Sequence, residues 1–331
     1  MLARSETINL PYGKPLVTPV LLPSFSSKGF PELKKILKQL EQYISGQVLF
    51  SAYDVSYNKI PKQIPFAPEL LFIDSGGYEC SAITDFVEYN RYSYKPKPWN
   101  IKRYFSAIES VLRNNVHMSK VIVSYDNPRR RRPVNEQIKF AKSIFKKFSE
   151  IDKNFFKEII LKPETSNENE QYIPIDAVIR NIEKLKTFDI IGFTEKELGT
   201  TLIGVMINIC KIRKALNKNK IRQLIHIFGS LDPRSTPLYF MCGADIFDGL
   251  TWLRYSFHQG LTIYQQNYWF EKCPLDSEVF ALRMRSAIDN LCYLSDLRFD
   301  MIKFQKNKDF AMFQYNKELF KRIWDTVEAH I

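Results

Sequence analysis

Two alternating periodicities limit what this chain can fold into. Short apolar, largely β-branched runs recur at LLFI (70–73), KVIVSY (120–125), EIIL (158–161), DIIGF (189–193), LIHIF (224–228) and ADIF (244–247). Such runs suit strands covered on both faces of a parallel sheet. Among them, ELKKILKQLEQYI, IKRYFSAIESVLRN, VNEQIKFAKSIFKKF and IDAVIRNIEKLKTF place apolar residues three and four positions apart with charges between, the pattern of helices laid on a sheet. Strands and helices in alternation predict βαβ units. Two earlier runs, TPVLLPS (18–24) and QVLFSAY (47–53), bring the strands to about eight, favouring an α/β fold of the TIM-type (β/α)8 barrel kind over an open doubly wound sheet. No glycine-rich dinucleotide or phosphate-loop fingerprint follows any run, which also argues against the Rossmann alternative.

A chain of 331 residues, 45% of them hydrophobic, can bury one large enzyme domain. The barrel is expected over 1–262. Beyond it the pattern shifts to two helices, 276–295 and 309–329, so 263–331 is expected as a helical C-terminal appendage packed on the barrel. The start, MLARSETINLPYGK, lacks the basic-then-apolar pattern of a secretory signal, and no run approaches the roughly 20 apolar residues of a membrane span. A cytoplasmic protein with no membrane partner is the expectation. The five cysteines are scattered and odd in number, which fits free thiols better than a disulfide framework. No CxxC pair exists and the four histidines are not at ligand spacing beside the cysteines, so no metal or other cofactor is expected. The net charge of +12 favours a polyanionic partner through counterion release. A lysine-rich composition in a chain also rich in Asn and Ile is the plain alternative.

In barrels of this kind chemistry collects where strands end. LLFI runs into Asp74-Ser75-Gly76-Gly77-Tyr78-Glu79, KVIVSY into Asp126, and ADIF into Asp248 with Arg254 shortly after. One strand-end Asp is commonly a helix cap. Three of them, one followed by a Gly-Gly that lets backbone approach a ligand, point to a site. Asp245, three residues before Asp248, should face the other side of its strand and is read as structural. The run Arg129-Arg130-Arg131-Arg132 follows Asp126 closely enough to lie on the same face and hold a backbone phosphate, although four arginines also make an ordinary solvated surface.

The stretch FIDSGGYE resembles the signature of the tRNA-guanine transglycosylase superfamily, and CGADIFDGLTWLR resembles its second motif, a Gly-x-Asp-x-Phe-Asp run ending in Arg. Weaker matches at SYD (124–126) and IIGFTEKELG (190–199) extend the likeness over roughly residues 16–256. The resemblance implies that Asp248 is the nucleophile attacking the anomeric carbon, and that Asp74 is the acid/base group serving the departing and incoming bases. It implies base contacts by Asp126, by Ser75, Gly76 and Gly77, and by Tyr78 and Phe228 stacking on either side, with Gly229 beside the latter. Phe228 also reads as an ordinary core aromatic. Backbone amides at Thr194 and Glu195 fall where the family has Gly-Gly, and LKPE puts Lys162 or Glu164 where the family has glutamine. Arg254 matches a phosphate contact, whereas the family's second arginine there is Phe257.

Three departures from the tRNA enzymes stand out: residues 1–331 contain no cysteine-rich zinc subdomain, no added RNA-binding domain is expected, and Glu79 stands where those enzymes usually have glutamine. With TPVLLPSFSSKG and DSGGYE together, the chain is similar to the DNA-modifying branch, which exchanges guanine for a 7-deazaguanine such as 7-cyano-7-deazaguanine. The expected partners are therefore DNA, with tRNA as the alternative, the free 7-deazaguanine base, and helper proteins that open DNA. Other readings are a tRNA enzyme with a reduced C-terminus, a non-catalytic nucleic-acid-binding subunit, and a hydrolytic base-removing enzyme. A binding-only subunit has no need of a paired acid and nucleophile.

Overall fold

The computed structural model describes residues 1–81, 94–126, 131–165, 171–274 and 276–331. Eight strands run parallel: β1 (Val20–Pro23), β2 (Gln47–Ser51), β3 (Leu70–Asp74), β4 (Lys120–Val123), β5 (Phe155–Leu161), β6 (Ile190–Thr194), β7 (Leu224–Phe228) and β8 (Ile246–Gly249). Neighbours follow chain order from β2 to β8, and β8 pairs with β1. A parallel bridge between Ser24 and Leu49, with the Phe25 amide donating to the Leu49 carbonyl at 3.0 Å, joins β1 to β2 and closes the ring. The (β/α)8 barrel expected from the alternation is the fold observed.

Alternation along each strand divides the apolar residues into two cores. Val20, Leu22, Leu70, Phe72, Val121, Val123 and Ile246 fill the barrel interior, while Leu21, Leu71, Ile73, Ile122 and Phe247 pack outward under the helices. This parity decides where the polar strand-end residues point. Asp74 continues the inward series Leu70, Phe72, and Asp248 continues the series from Ile246, so both carboxylates crown the interior at the C-terminal ends of their strands.

The outer helices form for visible reasons. Helix Ile101–Asn114 starts at Asn100, whose side chain accepts from the Arg103 amide at 3.1 Å, and it buries Tyr104, Ala107, Ile108, Val111 and Leu112 as one stripe. The segment expected as one helix over 175–188 is a helix Ile175–Arg180 followed by a 3-10 turn Ile182–Thr187. Asn181 makes that break, its side chain bonding back to the Ala177 carbonyl at 2.9 Å.

After β8 the chain forms an antiparallel hairpin, Tyr255–His258 with Leu261–Tyr264, so the expected boundary at 262 falls within its second strand. Gln259 and Gly260 turn it with φ of 46° and 78°, the paired left-handed geometry of a tight hairpin. Helices Gln265–Lys272, Val279–Asn307 and Lys317–Glu328 follow. Val279–Asn307 runs well past the expected end at 295 and stops only at Lys308, which adopts φ 55°. Its Ala287, Leu294, Met301 and Phe304 join the outer core. It lies against β1 and helix Leu33–Leu40, while Lys317–Glu328 lies against helices Leu202–Lys218 and Ser235–Met241. Among the described residues, no helix is long and apolar enough to cross a membrane. All five cysteines are free.

Candidate active site

Asp248 sits inside β8 and is almost fully buried. Its Oδ2 accepts from Ser24 Oγ at 2.7 Å, just past β1, and its Oδ1 accepts from the Gly229 amide at 3.0 Å, just past β7. Gly229 has φ 83°, and a Cβ on it would meet nothing within 4 Å. His226 Nε2 lies 3.4 Å from Asp248 Oδ1, and His226 Nδ1 lies 2.7 Å from Glu158 Oε1 on β5. Burial alone would lower the basicity of His226. The Glu158 charge beside it, with Asp248, outweighs burial and raises its pKa to about 9, which favours the imidazolium. Burial pushes the Glu158 pKa up, against the pull of His226.

Asp74 ends β3, with Oδ2 accepting from the Gly76 amide at 3.2 Å. Burial, then the nearby charges of Glu79 and Asp126, raise its pKa to about 8. It therefore holds a proton at neutral pH. Glu79 is itself buried, accepts from Ser26 Oγ at 2.5 Å, and is raised to about 7 by burial and by the charge of Asp54. Asp54 is raised to about 6, chiefly by burial. One oxygen of each, Asp54 Oδ1 and Glu79 Oε2, has no hydrogen-bond partner. Both acids are buried; the Asp54 charge acts on Glu79, and the Glu79 charge acts on Asp74.

The two halves meet across the barrel. The Phe72 ring, two residues before Asp74, contacts the His226 ring at 5.9 Å between centroids. Past the strand ends, Arg254 Nη2 donates to the Tyr78 hydroxyl at 2.9 Å, joining the loop after β8 to the turn after β3.

The glycines after Asp74 are there for space. Gly76 has φ 84°, and a Cβ would stand 2.8 Å from Tyr53 Cβ; a Cβ on Gly77 would stand 2.5 Å from Asp126 Oδ1. Asp126 can thus press against this turn, where Ser75 Oγ donates to it. Lys162 Nζ stands 3.7 Å from Asp126 Oδ2 and donates to Thr194 Oγ1 at 2.6 Å and Glu197 Oε2 at 2.9 Å. Burial opposes the charge on Lys162, but Glu197 and Asp126 outweigh it and raise its pKa. Glu164, the other candidate in LKPE, turns away and accepts from the Val134 amide at 2.8 Å, capping helix Val134–Phe148. The Glu195 side chain accepts from the Tyr239 hydroxyl at 2.6 Å, while the resemblance concerns its backbone amide.

A cavity of about 790 Å³ opens beside Asp126 and Lys162, walled by Trp99, Tyr125, Phe140 and Ile160, with Arg131 and Arg132 at its edge. Asp74 and Asp248 do not line it. Phe228 is in the inner core with one face stacked on His226 at 3.9 Å, and its ring occupies the space a side chain at Gly192 would need. Both readings of Phe228 thus keep a footing, since one face packs and the ring crowns the interior. Tyr78 is half-buried, with Lys28 Nζ 4.2 Å from its ring centroid.

Neither family models nor curated proteins match this chain.

Of the four arginines, Arg129 and Arg130 lie outside the described residues. Arg131 reaches Glu197 at 3.4 Å, and Arg132 lies 3.9 Å over the Phe140 ring. Asp245 is buried at the opposite end of β8, between Arg213 at 2.6 Å and Arg4 at 2.9 Å, and supports the strand from below. Among the described residues, no cluster of histidine, cysteine, aspartate and glutamate is arranged to hold a metal ion. Sequence reasoning missed His226, Glu158 and Ser24. In LIHIF a polar residue at an inward position of an otherwise apolar strand was the available signal for His226.

Proposed function

We propose that this chain is a guanine transglycosylase that exchanges guanine in DNA for a 7-deazaguanine base, such as 7-cyano-7-deazaguanine, through a glycosyl-aspartate. One observation carries the reading: two carboxylates crown one barrel interior, Asp74 in surroundings that favour its protonated form and Asp248 held on both oxygens by Ser24 and Gly229. That division of labour is what retaining glycosyl transfer demands. The resemblance of FIDSGGYE and CGADIFDGLTWLR to the transglycosylase motifs points the same way.

In the first half-reaction an Asp248 oxygen bonds to the anomeric carbon as the bond from sugar to base breaks. The electron pair leaves with guanine, and Asp74 gives it a proton. In the second half the incoming base loses a proton to Asp74, attacks the same carbon and returns Asp248 to its carboxylate. Asp126, with Lys162 beside it, would receive the donor edge of the purine next to the cavity. Lys162 is a cation where the tRNA enzymes use glutamine, and it suits a hydrogen-bond acceptor on the base. Arg254, with Arg131 and Arg132 after β4, would meet phosphates. The target base must be flipped from a duplex at a cost of a few kcal/mol, so proteins that open DNA are fitting partners.

The test is nucleoside mass spectrometry on DNA and tRNA from cells supplied with the 7-deazaguanine and expressing either the wild type or Asp248→Ala. The expected outcome is a 7-deazaguanine deoxynucleoside with the wild type alone. Modified tRNA with unmodified DNA would move the assignment to the tRNA enzymes. Loss of guanine from DNA with no base incorporated would make the chain a hydrolase.

A further inference from the structure

The reading above uses Asp248 and Asp74 and leaves unexplained why the centre of the barrel, otherwise apolar, contains an ionic chain. His226 is fully buried on β7, in the inward series Leu224, His226, Phe228. Glu158 is fully buried on β5. A buried ion pair costs several kcal/mol per ion in desolvation, and apolar side chains of similar size would pack the barrel at least as well. Stability alone does not explain this pair.

The neighbours of His226 are arranged to hold it. Phe228 stacks on one face at 3.9 Å and Phe72 meets the ring edge-on at 5.9 Å. Gly192 on β6, paired in register with His226, has no side chain; a Cβ there would stand 2.5 Å from Phe228 and 2.8 Å from Glu158 Oε1. A strand-interior glycine thus clears the space that Phe228 and Glu158 occupy. Among the described residues, the charged groups facing the imidazole are Glu158 from β5 and Asp248 from β8; β3, β6 and β7 present only Phe72, Gly192 and Phe228.

We propose that His226 is the positioning residue of the nucleophile: anchored through Nδ1 on Glu158, it presents a cationic Nε2–H to Asp248 Oδ1 and reserves Oδ2 for attack on the sugar. This rests on Asp248 being the nucleophile. Oδ1 accepts a hydrogen bond from the Gly229 amide at 3.0 Å, and His226 Nε2, which has no hydrogen-bond partner of its own, stands 3.4 Å from the same oxygen as an ionic neighbour. Oδ2 has one partner, the Ser24 hydroxyl at 2.7 Å, and keeps a lone pair. Attack forms the bond from Oδ2 to the anomeric carbon and cancels the charge on Asp248, while His226 stays paired with Glu158. In the second half the carboxylate departs from that carbon, and the adjacent imidazolium stabilises the charge it regains. His226 therefore favours the free carboxylate over the glycosyl ester.

The test has two arms. The first is nitrogen-15 NMR of histidine-labelled wild type, Glu158→Gln and Asp248→Asn, with His226→Gln to assign the signal among four histidines. His226 should show both ring nitrogens protonated at neutral pH in the wild type, and its titration midpoint should fall by about one pH unit or more in each of the other two variants. A neutral single tautomer in the wild type, or a midpoint unmoved in Asp248→Asn, overturns the proposal. Asp248→Asn keeps the shape of the side chain, so it carries this arm even if Glu158→Gln does not fold.

The second arm incubates enzyme and DNA with the incoming base and quenches at steady state. His226→Gln should hold a larger fraction of enzyme as the covalent adduct, its ratio of adduct to free enzyme rising about ten-fold. A merely structural role would lower total activity without raising that ratio, and such a result overturns the proposal. The NMR arm is independent of catalysis. A wild type that passes it yet exchanges no base overturns the assigned reaction and leaves the ionic contact of His226 with Asp248 standing.

Discussion

Asp74→Asn should make the protein more stable as pH rises while ending base exchange. In the folded protein burial, with the charges of Glu79 and Asp126, raises the Asp74 pKa from 3.8 to about 8. Below the lower value both folded and unfolded chains carry the proton, and the group costs nothing. Between the two values the unfolded chain releases its proton and the folded chain retains it, so stability falls as pH rises. Above the upper value both are ionised and the full penalty stands. The slope in that window is about 1.4 kcal/mol per pH unit, so this one side chain removes about 3 kcal/mol between roughly pH 5 and pH 7. Asn keeps the oxygen that accepts from the Gly76 amide and never ionises. Urea unfolding of both proteins at several pH values reads the effect directly, because the contributions of Asp54, Glu79 and His226 are largely common to both. The stability difference should shift in favour of the variant by about 3 kcal/mol across that interval. A difference that stays constant with pH would mean that Asp74 is ionised in the fold throughout, and it would then have no proton to give at neutral pH.

Other expectations follow from contacts away from Asp74. Gly192→Ala should destabilise the protein by about 1–3 kcal/mol in the same unfolding assay, because the added methyl meets Phe228 and Glu158 inside a packed barrel. Asp245→Ala should cost about 3–5 kcal/mol, since it removes the carboxylate paired with the fully buried Arg213 and leaves that charge only the Gly243 and Gln223 carbonyls. If DNA is the partner, Arg254→Ala should weaken binding across sequences and reduce the slope of log affinity against log salt by about one, read by fluorescence anisotropy at several salt concentrations.

The architecture was legible because buried parallel strands write themselves as continuous apolar runs, and LIHIF, IKRYFSAIESVLRN and VNEQIKFAKSIFKKF mark their elements to the residue. Helix Leu202–Lys218 was harder to see, because its sequence is apolar on much of its circumference and the contrast between faces is weak. The far end of Val279–Asn307 was not legible either. A lysine, not a glycine or proline, takes the left-handed conformation that stops it. At the site, position at strand ends singled out Asp74, Asp126 and Asp248 in the sequence, and strand parity set Asp245 apart from Asp248. Glu158, His226 and Ser24 are spread over 224 positions of sequence with Asp248 and meet only when the ring closes. No local pattern joins them. The choice between Lys162 and Glu164 likewise needed the fold, which gives Glu164 a helix start to cap and leaves Lys162 beside Asp126.

The central claim is a bond between Asp248 and a sugar. Incubating the protein with guanine-containing DNA in the absence of free base, denaturing it and mapping its peptides by mass spectrometry tests that claim most directly. A sugar-linked DNA fragment should appear on the peptide containing Asp248 and be missing from Asp248→Asn. Base exchange by a wild type whose adduct maps to another residue, or that forms no adduct at all, would contradict the account.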